Sequence, residues 1–560
     1  MYSRRLTQKI EAGDDNENKG ILKYFSIFIA SLSFLALLSI LLIQFFLSYS
    51  QIVPTIFTPN NPFIMFATFI IFAGLQFLIY KIINFIKIPT RKLHHILLGF
   101  TFVIGVLVSV IFFSPPYSDV WSVMNGFSVD NWITVAYTNY YPNNMGLALL
   151  YQVIFSVLGR QSWIIMYMVN IISVMGIFYV LPKLSSIIGN EKAERISIQI
   201  LFFALPFSFM VTYLYNDLIS LYLVLQSILF LVEFMRSKQI KNSKIILSGL
   251  LLGVAYILRT NIIIFAIGIF IYVVLYIIKN KNFNYKSFLS FLPLVIMIIM
   301  QLIFKASIPS LVPSYNKEEA QPAISWIAMS LADEQSMKDY GLKKPGLFFS
   351  GFELWAFNEY KKENKDATKH DYIIDRNFRK KIYSDFIGSR INDMTKHPQK
   401  AIKYYAQKEA ASWADPSFGT EKLLKDSYDN QKNLYDTLPF ESIAKIQGIQ
   451  STSANKYINN REKFQSTSAI KLVENKYFLN YVERPFLILI LVGSIFNIIK
   501  SRKRLVLEEL LLLVIFIGGF IFHEFIWETQ PRYMLAYFAL LIPLAANGIK
   551  QLLSIKKRTS

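Results

Sequence analysis

The sequence predicts an all-α polytopic membrane protein of about twelve spanning helices that carries a mainly helical extracytoplasmic domain. Of its 560 residues, 54% are hydrophobic and 16% aromatic. Apolar runs of roughly 18 to 22 residues, the length that crosses a bilayer core, recur along the chain. The Lys and Arg fall in short clusters between those runs, the pattern of cytoplasmic loops. One polar stretch, from about Ala306 to Tyr481, is long enough to fold as a domain.

Composition narrows the partners. A net charge of +21 raises nucleic acid as a ligand, but the basic residues are dispersed among apolar runs and form no basic domain. The bilayer accounts for them and no nucleic-acid partner is expected. With no Cys, disulfides, thiolate zinc sites and thiol nucleophiles are excluded. The first twenty residues are too polar for a cleavable signal peptide and read as a cytoplasmic tail before an uncleaved anchor.

The spans are expected to begin near Tyr24, Phe63, Ile96, Trp163, Arg195, Asp217, Ile245, Asn261, Ser287, Val482, Leu505 and Arg532. With both termini cytoplasmic, the inner segments hold Lys87, Arg91 and Lys92; Lys183, Lys192 and Arg195; Arg236 to Lys244; Lys279 to Lys286; Lys500 to Arg504; and Lys556 to Arg558. The short apolar run Gly146–Gly159 would invert two of these clusters if it crossed, so it is assigned as an interfacial helix on the outer face. The stretch Ile245–Lys279 would make a helix of roughly 50 Å, too long for one span, and is broken at Arg259-Thr260-Asn261. The expected organisation is a tail (1–23), a membrane module (24–305) with its first outer loop at 115–162, an extracytoplasmic domain (306–481), C-terminal spans (482–550) and a second tail (551–560).

This threading puts one set of polar residues at the outer face: Asp119 and Asp130 in the first loop, Asn216 and Asp217 opening a span, Arg259 and Asn261 at the broken helix, and His523, Glu524, Glu528 and Arg532 near the C-terminus. Ionisable groups at membrane depth are costly and mark functional or paired sites. A carboxylate there can serve as a general base, and arginines can hold a phosphate. Plainer readings stand beside these. Asp119 follows two prolines and suits a turn; Asn216-Asp217 suits a helix cap; Arg532 suits a snorkelling anchor. The aromatics Tyr117, Trp121 and Tyr141 suit any membrane interface. His523 and Glu524 are too isolated for a metal site, and nucleotide-binding, serine-hydrolase and zinc-protease motifs are absent from the sequence.

In order along the chain, PPYSDVWSV, YYPNNMGLALLYQ, YLYNDLISLYL, GLLLGVAYILRTNIIIF and QPRYMLAYFALLIPLAANG resemble the GT-C superfamily of polytopic glycosyltransferases, which includes protein O-mannosyltransferases and aminoarabinose transferases. The segments ISWIAMSL, GLFFSGFELWAFNEY and KEAASWADPSFGT look like the outer region of GT39-like membrane proteins of Gram-positive bacteria. The resemblance implies a GT-C-like fold and a sugar donor linked to polyprenyl phosphate. By position it makes Asp119 the catalytic base and Asp217 an assisting acid, and it gives the interfacial helix a juxtamembrane counterpart. Two departures leave metal dependence and acceptor choice open: Asp119 is followed by Val120 where many members pair two acids, and Ser325 stands where a His is associated with ISWIAMSL. No cofactor is read from the residues and no metal ligand is assigned; the resemblance admits a divalent cation, Mg or Mn.

The expected function is inverting transfer of a sugar from undecaprenyl phosphate to a cell-envelope acceptor, a glycan, teichoic acid or protein, in the cell membrane. Arg259 and Arg532 are candidates for the donor phosphate, and Tyr117, Trp121, Tyr141, Asn144, Asn216, Asn261 and Tyr533 for substrate contacts. The competing expectations are a transporter or flippase of a lipid-linked sugar, against which no duplicated halves are found, and a polysaccharide polymerase.

Overall fold

The computed structural model describes residues 2–48, 58–129, 134–237, 242–280, 284–342, 346, 349–437, 479–501 and 505–555. Asp130 and several basic residues of the expected inner loops, among them Arg502 to Arg504 and Lys556 to Arg558, lie outside the described residues. The protein is an all-α polytopic membrane protein. Ten of the described helices are long and apolar enough to cross a membrane. The span expected near Arg195 is a bent pair, Glu191–Leu201 and Leu205–Thr212, whose axes meet at 54°. The one expected near Ile245 is the shorter helix Asn242–Leu258. With these two, each of the twelve expected starts has its helix.

Local chemistry sets the breaks. Asn61 accepts from the backbone N–H of Phe63 and Ile64, at 3.0 and 3.3 Å, and Pro62 opens helix Pro62–Phe85. Asn190, at φ +110°, separates Ile165–Gly189 from Glu191–Leu201 and caps the latter through Lys192 N–H. Arg259 is extended, at φ −148° and ψ 111°, and ends Asn242–Leu258; a short turn at Thr260–Ile262 then leads into Ile263–Asn280. The expected break at Arg259-Thr260-Asn261 is therefore present in the backbone.

Helices Arg484–Ser501 and Pro531–Ile555 pack closely because a Cβ on Gly548 would lie 1.9 Å from the Gly493 carbonyl oxygen. Small residues let such backbones approach. Helices Pro62–Phe85 and Leu292–Leu311 instead expose large apolar side chains, including Phe63, Ile71 and Leu302, which suits a lipid-facing surface. Lys183, Arg236, Lys244 and Lys550 gather at one end of the bundle, where they meet Glu194, Ile187 O, Glu233 and Gly189 O. Asp217 and Arg236 mark opposite ends of one 20-residue helix, about 30 Å long. The basic clusters and Asp217 are therefore separated by the bundle's length.

The boundary expected at 305/306 falls inside helix Leu292–Leu311; the apolar face continues past Ala306, so the polar domain begins after Leu311. Its described part is helical: Ala323–Ser330, Gly351–Glu363, Lys369–Ile374, Arg376–Lys396, Pro398–Trp413 and Thr420–Thr437. Its core of Met337, Phe352, Tyr372 and Tyr383 also takes in Tyr140 and Tyr141 of the loop that follows helix Thr90–Ile111. Trp413, Phe418 and Leu424 join the bundle's own core. The domain is thus seated on the bundle by two separate apolar contacts. Met145–Leu158 forms a 14-residue helix, matching the run expected to lie at the interface.

Candidate functional site

Asp119 is presented by a strained turn. The third span ends at Phe112, Pro115 and Pro116 prevent helix from resuming, and Ser118 sits at φ +51°, a left-handed conformation costly for a residue with a Cβ. Tyr117 anchors the turn by donating to Leu423 O at 3.1 Å. Asp119 then lies in the first turn of Ser118–Met124. Arg532 and Tyr533 occupy the first turn of Pro531–Ile555, after the extended segment Trp527–Gln530.

These elements surround a cavity of about 1010 Å³. Asp119, Arg532, Tyr117, Trp121, Tyr141, Asn144, Asn261 and Tyr533 all line it. Asp119 Oδ2 lies 3.5 Å from Arg532 Nη2 and accepts from Tyr213 O–H at the same distance. Its side chain is 47% exposed and that of Arg532 19%. The Arg532 guanidinium also lies over the rings of Tyr213, Tyr215 and Tyr533, at 4.9, 5.5 and 5.4 Å. Burial pushes the Tyr213 and Tyr215 phenols well above the ordinary tyrosine range, so both stay protonated. Tyr215 donates to Asn144 Oδ1 at 2.7 Å.

Asp217 and Arg259 do not line this cavity. They form a part-buried ion pair beside an adjoining void of about 20 Å³, which Asn261, His523, Arg532 and Tyr533 also line. Tyr533 joins the two sets, since its ring carries Arg259 at 5.3 Å as well as Arg532 at 5.4 Å. The order in space is Asp217, Arg259, Tyr533, Arg532, Asp119. Asn216, expected to touch substrate, lines neither space. Its amide donates to Leu258 O and its Oδ1 accepts from Arg259 at 3.3 Å. The residue meets the free carbonyl end of the broken helix, a partner that sequence spacing does not reveal.

Among the lining residues that were not selected from the sequence as site residues are Glu528, Trp326 and Trp527. Glu528 Oε1 accepts from Tyr533 O–H at 2.8 Å. Burial pushes its carboxyl up to about 7, against the pull of Tyr533 and Arg532. Its place in the FHEFIWETQPRYM cluster was the available signal. Trp326 comes from the polar domain, where its place in ISWIAMSL was the available signal. Among the described residues no group of three or more His, Asp or Glu side chains is arranged to hold a metal ion. Asp119 already faces a guanidinium, so the residues present do not fit a divalent cation.

Residues 15–339, more than half of the chain, match the family described as conserved hypothetical integral membrane protein. The chain belongs to that family. The matched region of this integral membrane protein includes Asp119, Asp217 and Arg259 and ends before Arg532. No curated protein matches the sequence. Among solved structures, the chain is similar to the archaeal oligosaccharyltransferase AglB of Archaeoglobus fulgidus, determined with an inhibitory peptide and a dolichol-phosphate. The TM-score is 0.40 at 10% identity, over 83% of this chain and 51% of that one. The chain thus spans about half the length of that transferase.

Proposed function

We propose that the protein is a membrane glycosyltransferase that moves a sugar from a polyprenyl-phosphate donor to an acceptor hydroxyl at the outer membrane face. The observation that carries this reading is the pairing of Asp119 with Arg532 on one wall of a cavity of about 1010 Å³, in a chain whose motifs resemble the GT-C superfamily. A base and a phosphate-binding cation must both reach the reacting centre, and these two share it.

In the reaction, Asp119 takes the proton of the acceptor hydroxyl as that oxygen attacks the anomeric carbon. The new C–O bond forms on the face opposite the leaving group, so the configuration inverts. The bond from the anomeric carbon to the phosphate oxygen breaks, and its electron pair leaves with the lipid phosphate. Arg532 stabilises the developing charge. Asp217 serves as a positioning residue: it holds Arg259, which lies against Tyr533 and keeps a second positive charge behind the phosphate. No step passes through a metal ion.

The test is transfer by the purified full-length protein from undecaprenyl-phosphate-linked sugars, with the products sized. Asp119→Asn is expected to lower the transfer rate by about 10²- to 10⁴-fold, the range for a lost general base, with unchanged thermal unfolding. Full activity in Asp119→Asn removes the assigned base. Extended polymers would indicate a polymerase, and lipid-linked sugar crossing the bilayer untransferred would indicate a flippase.

A further inference from the structure

The cavity extends beyond Asp119 and Arg532 towards the polar domain, and its composition there is selective. Nine aromatic and ten amide or hydroxyl side chains line the whole cavity, against three charged ones, Asp119, Glu528 and Arg532. Among the described residues, the polar domain contributes only uncharged ones, including Gln321, Ala323 and Trp326. Tyr141, Trp326 and Trp527 form a continuous aromatic wall: Trp326 lies 5.9 Å from Tyr141 and 6.0 Å from Trp527, the two indoles being inclined by 24°.

This wall is held from behind. Gln321 N–H donates to Tyr140 O at 2.9 Å, and the Gln321 side chain is fixed between Glu353 and Arg379. Lys408 is fully buried and donates to Trp527 O and to Ser330 Oγ, both at 2.8 Å. The neighbouring lysine therefore fixes the wall's backbone and does not line the cavity. Rigid, pre-organised aromatic faces bind at low entropic cost.

We infer that this wall is the acceptor subsite and that it takes the uncharged terminal sugars of a glycan in preference to a phosphodiester-linked chain; the inference rests on the glycosyl-transfer reading above. A pyranose has an apolar C–H face that packs on the negative face of an aromatic ring, and a rim of hydroxyls that matches neutral amides and hydroxyls. A chain of phosphodiesters would bring one negative charge per unit into a space where the described residues of the polar domain supply no cation, and desolvating unpaired charge is costly.

The experiment reads binding without donor, by tryptophan fluorescence of the full-length protein. The probes are neutral tetrasaccharides of glucose, mannose or N-acetylglucosamine, and glycerol-phosphate oligomers of equal length. Saturable binding of a neutral tetrasaccharide, insensitive to added salt, is expected. Trp326→Ala should weaken it about tenfold, the scale of one lost aromatic stack, and Trp326→Phe should recover most of the loss. Ala323→Trp, which fills the space and leaves the indole pair in place, should abolish it. Tighter binding of glycerol-phosphate, absence of binding by every neutral probe, or wild-type binding by both Trp326→Ala and Ala323→Trp overturns the inference. Sugar binding without any transfer would remove the transferase reading and leave the subsite standing. Asp119-dependent transfer with an unchanged acceptor KM in Trp326→Ala would do the reverse.

Discussion

Glu528 should make the protein less stable as pH rises through the neutral range. The residue is only 5% exposed, and burial raises its carboxyl from 4.5 to about 7. Below pH 4.5 it is protonated in both the folded and the unfolded chain, and contributes no difference. Between 4.5 and 7 only the unfolded chain ionises, which penalises folding by ~1.4 kcal/mol per pH unit. Above 7 both forms are charged and the penalty levels off at about 3 kcal/mol. Tyr533, Arg532, Asp119 and Lys408 surround the group; Lys408, lowered by burial to about 8, titrates above the window. Glu528→Gln keeps an oxygen for the Tyr533 hydroxyl and never ionises. Thermal unfolding of the two proteins in detergent, followed from pH 4 to pH 9, should therefore coincide at the acid end and diverge with rising pH, the glutamine variant becoming the more stable. A difference that is flat from 4.5 to 7, or that favours the wild type as pH rises, refutes the burial argument.

Removing one partner of the part-buried Asp217–Arg259 pair should cost about 1 to 3 kcal/mol, because the other charge is left without its partner. Asp217→Asn combined with Arg259→Met should cost much less than the two single changes together in a thermal-unfolding cycle, and strict additivity would show that the pair is not coupled. Gly146→Ala should destabilise by about 1 to 3 kcal/mol, since its Cβ would sit 2.1 Å from the Ile257 carbonyl oxygen. Unaltered unfolding of that variant would mean that Met145–Leu158 does not pack against the broken helix.

The membrane architecture was legible because hydropathy is a local property. Each of the twelve apolar runs became a helix, and the polar Arg259-Thr260-Asn261 interrupted one where a single helix would have been too long. The bend between Leu201 and Leu205 was not legible, since its residues are as apolar as their neighbours. Nor was the continuation of helix past Ala306 to Leu311, where apolar residues persist beyond the assigned boundary. Within the site, Asp119, Arg532 and Asn261 could be selected because charge or amide groups at span ends are expensive unless used or paired. That rule cannot separate the two outcomes. It selected Asp217, Arg259 and Asn216 equally, yet these answer one another and leave the large cavity to Asp119 and Arg532. Trp326 and Gln321 were beyond its reach altogether, because nothing about a tryptophan in a polar domain is costly until the chain folds it beside Trp527, two hundred residues away. Long-range assembly therefore decides which of several chemically equivalent residues reaches the large cavity. Among the described residues, the polar domain adds an uncharged wall to a cavity otherwise lined from span ends and the loop after the third span.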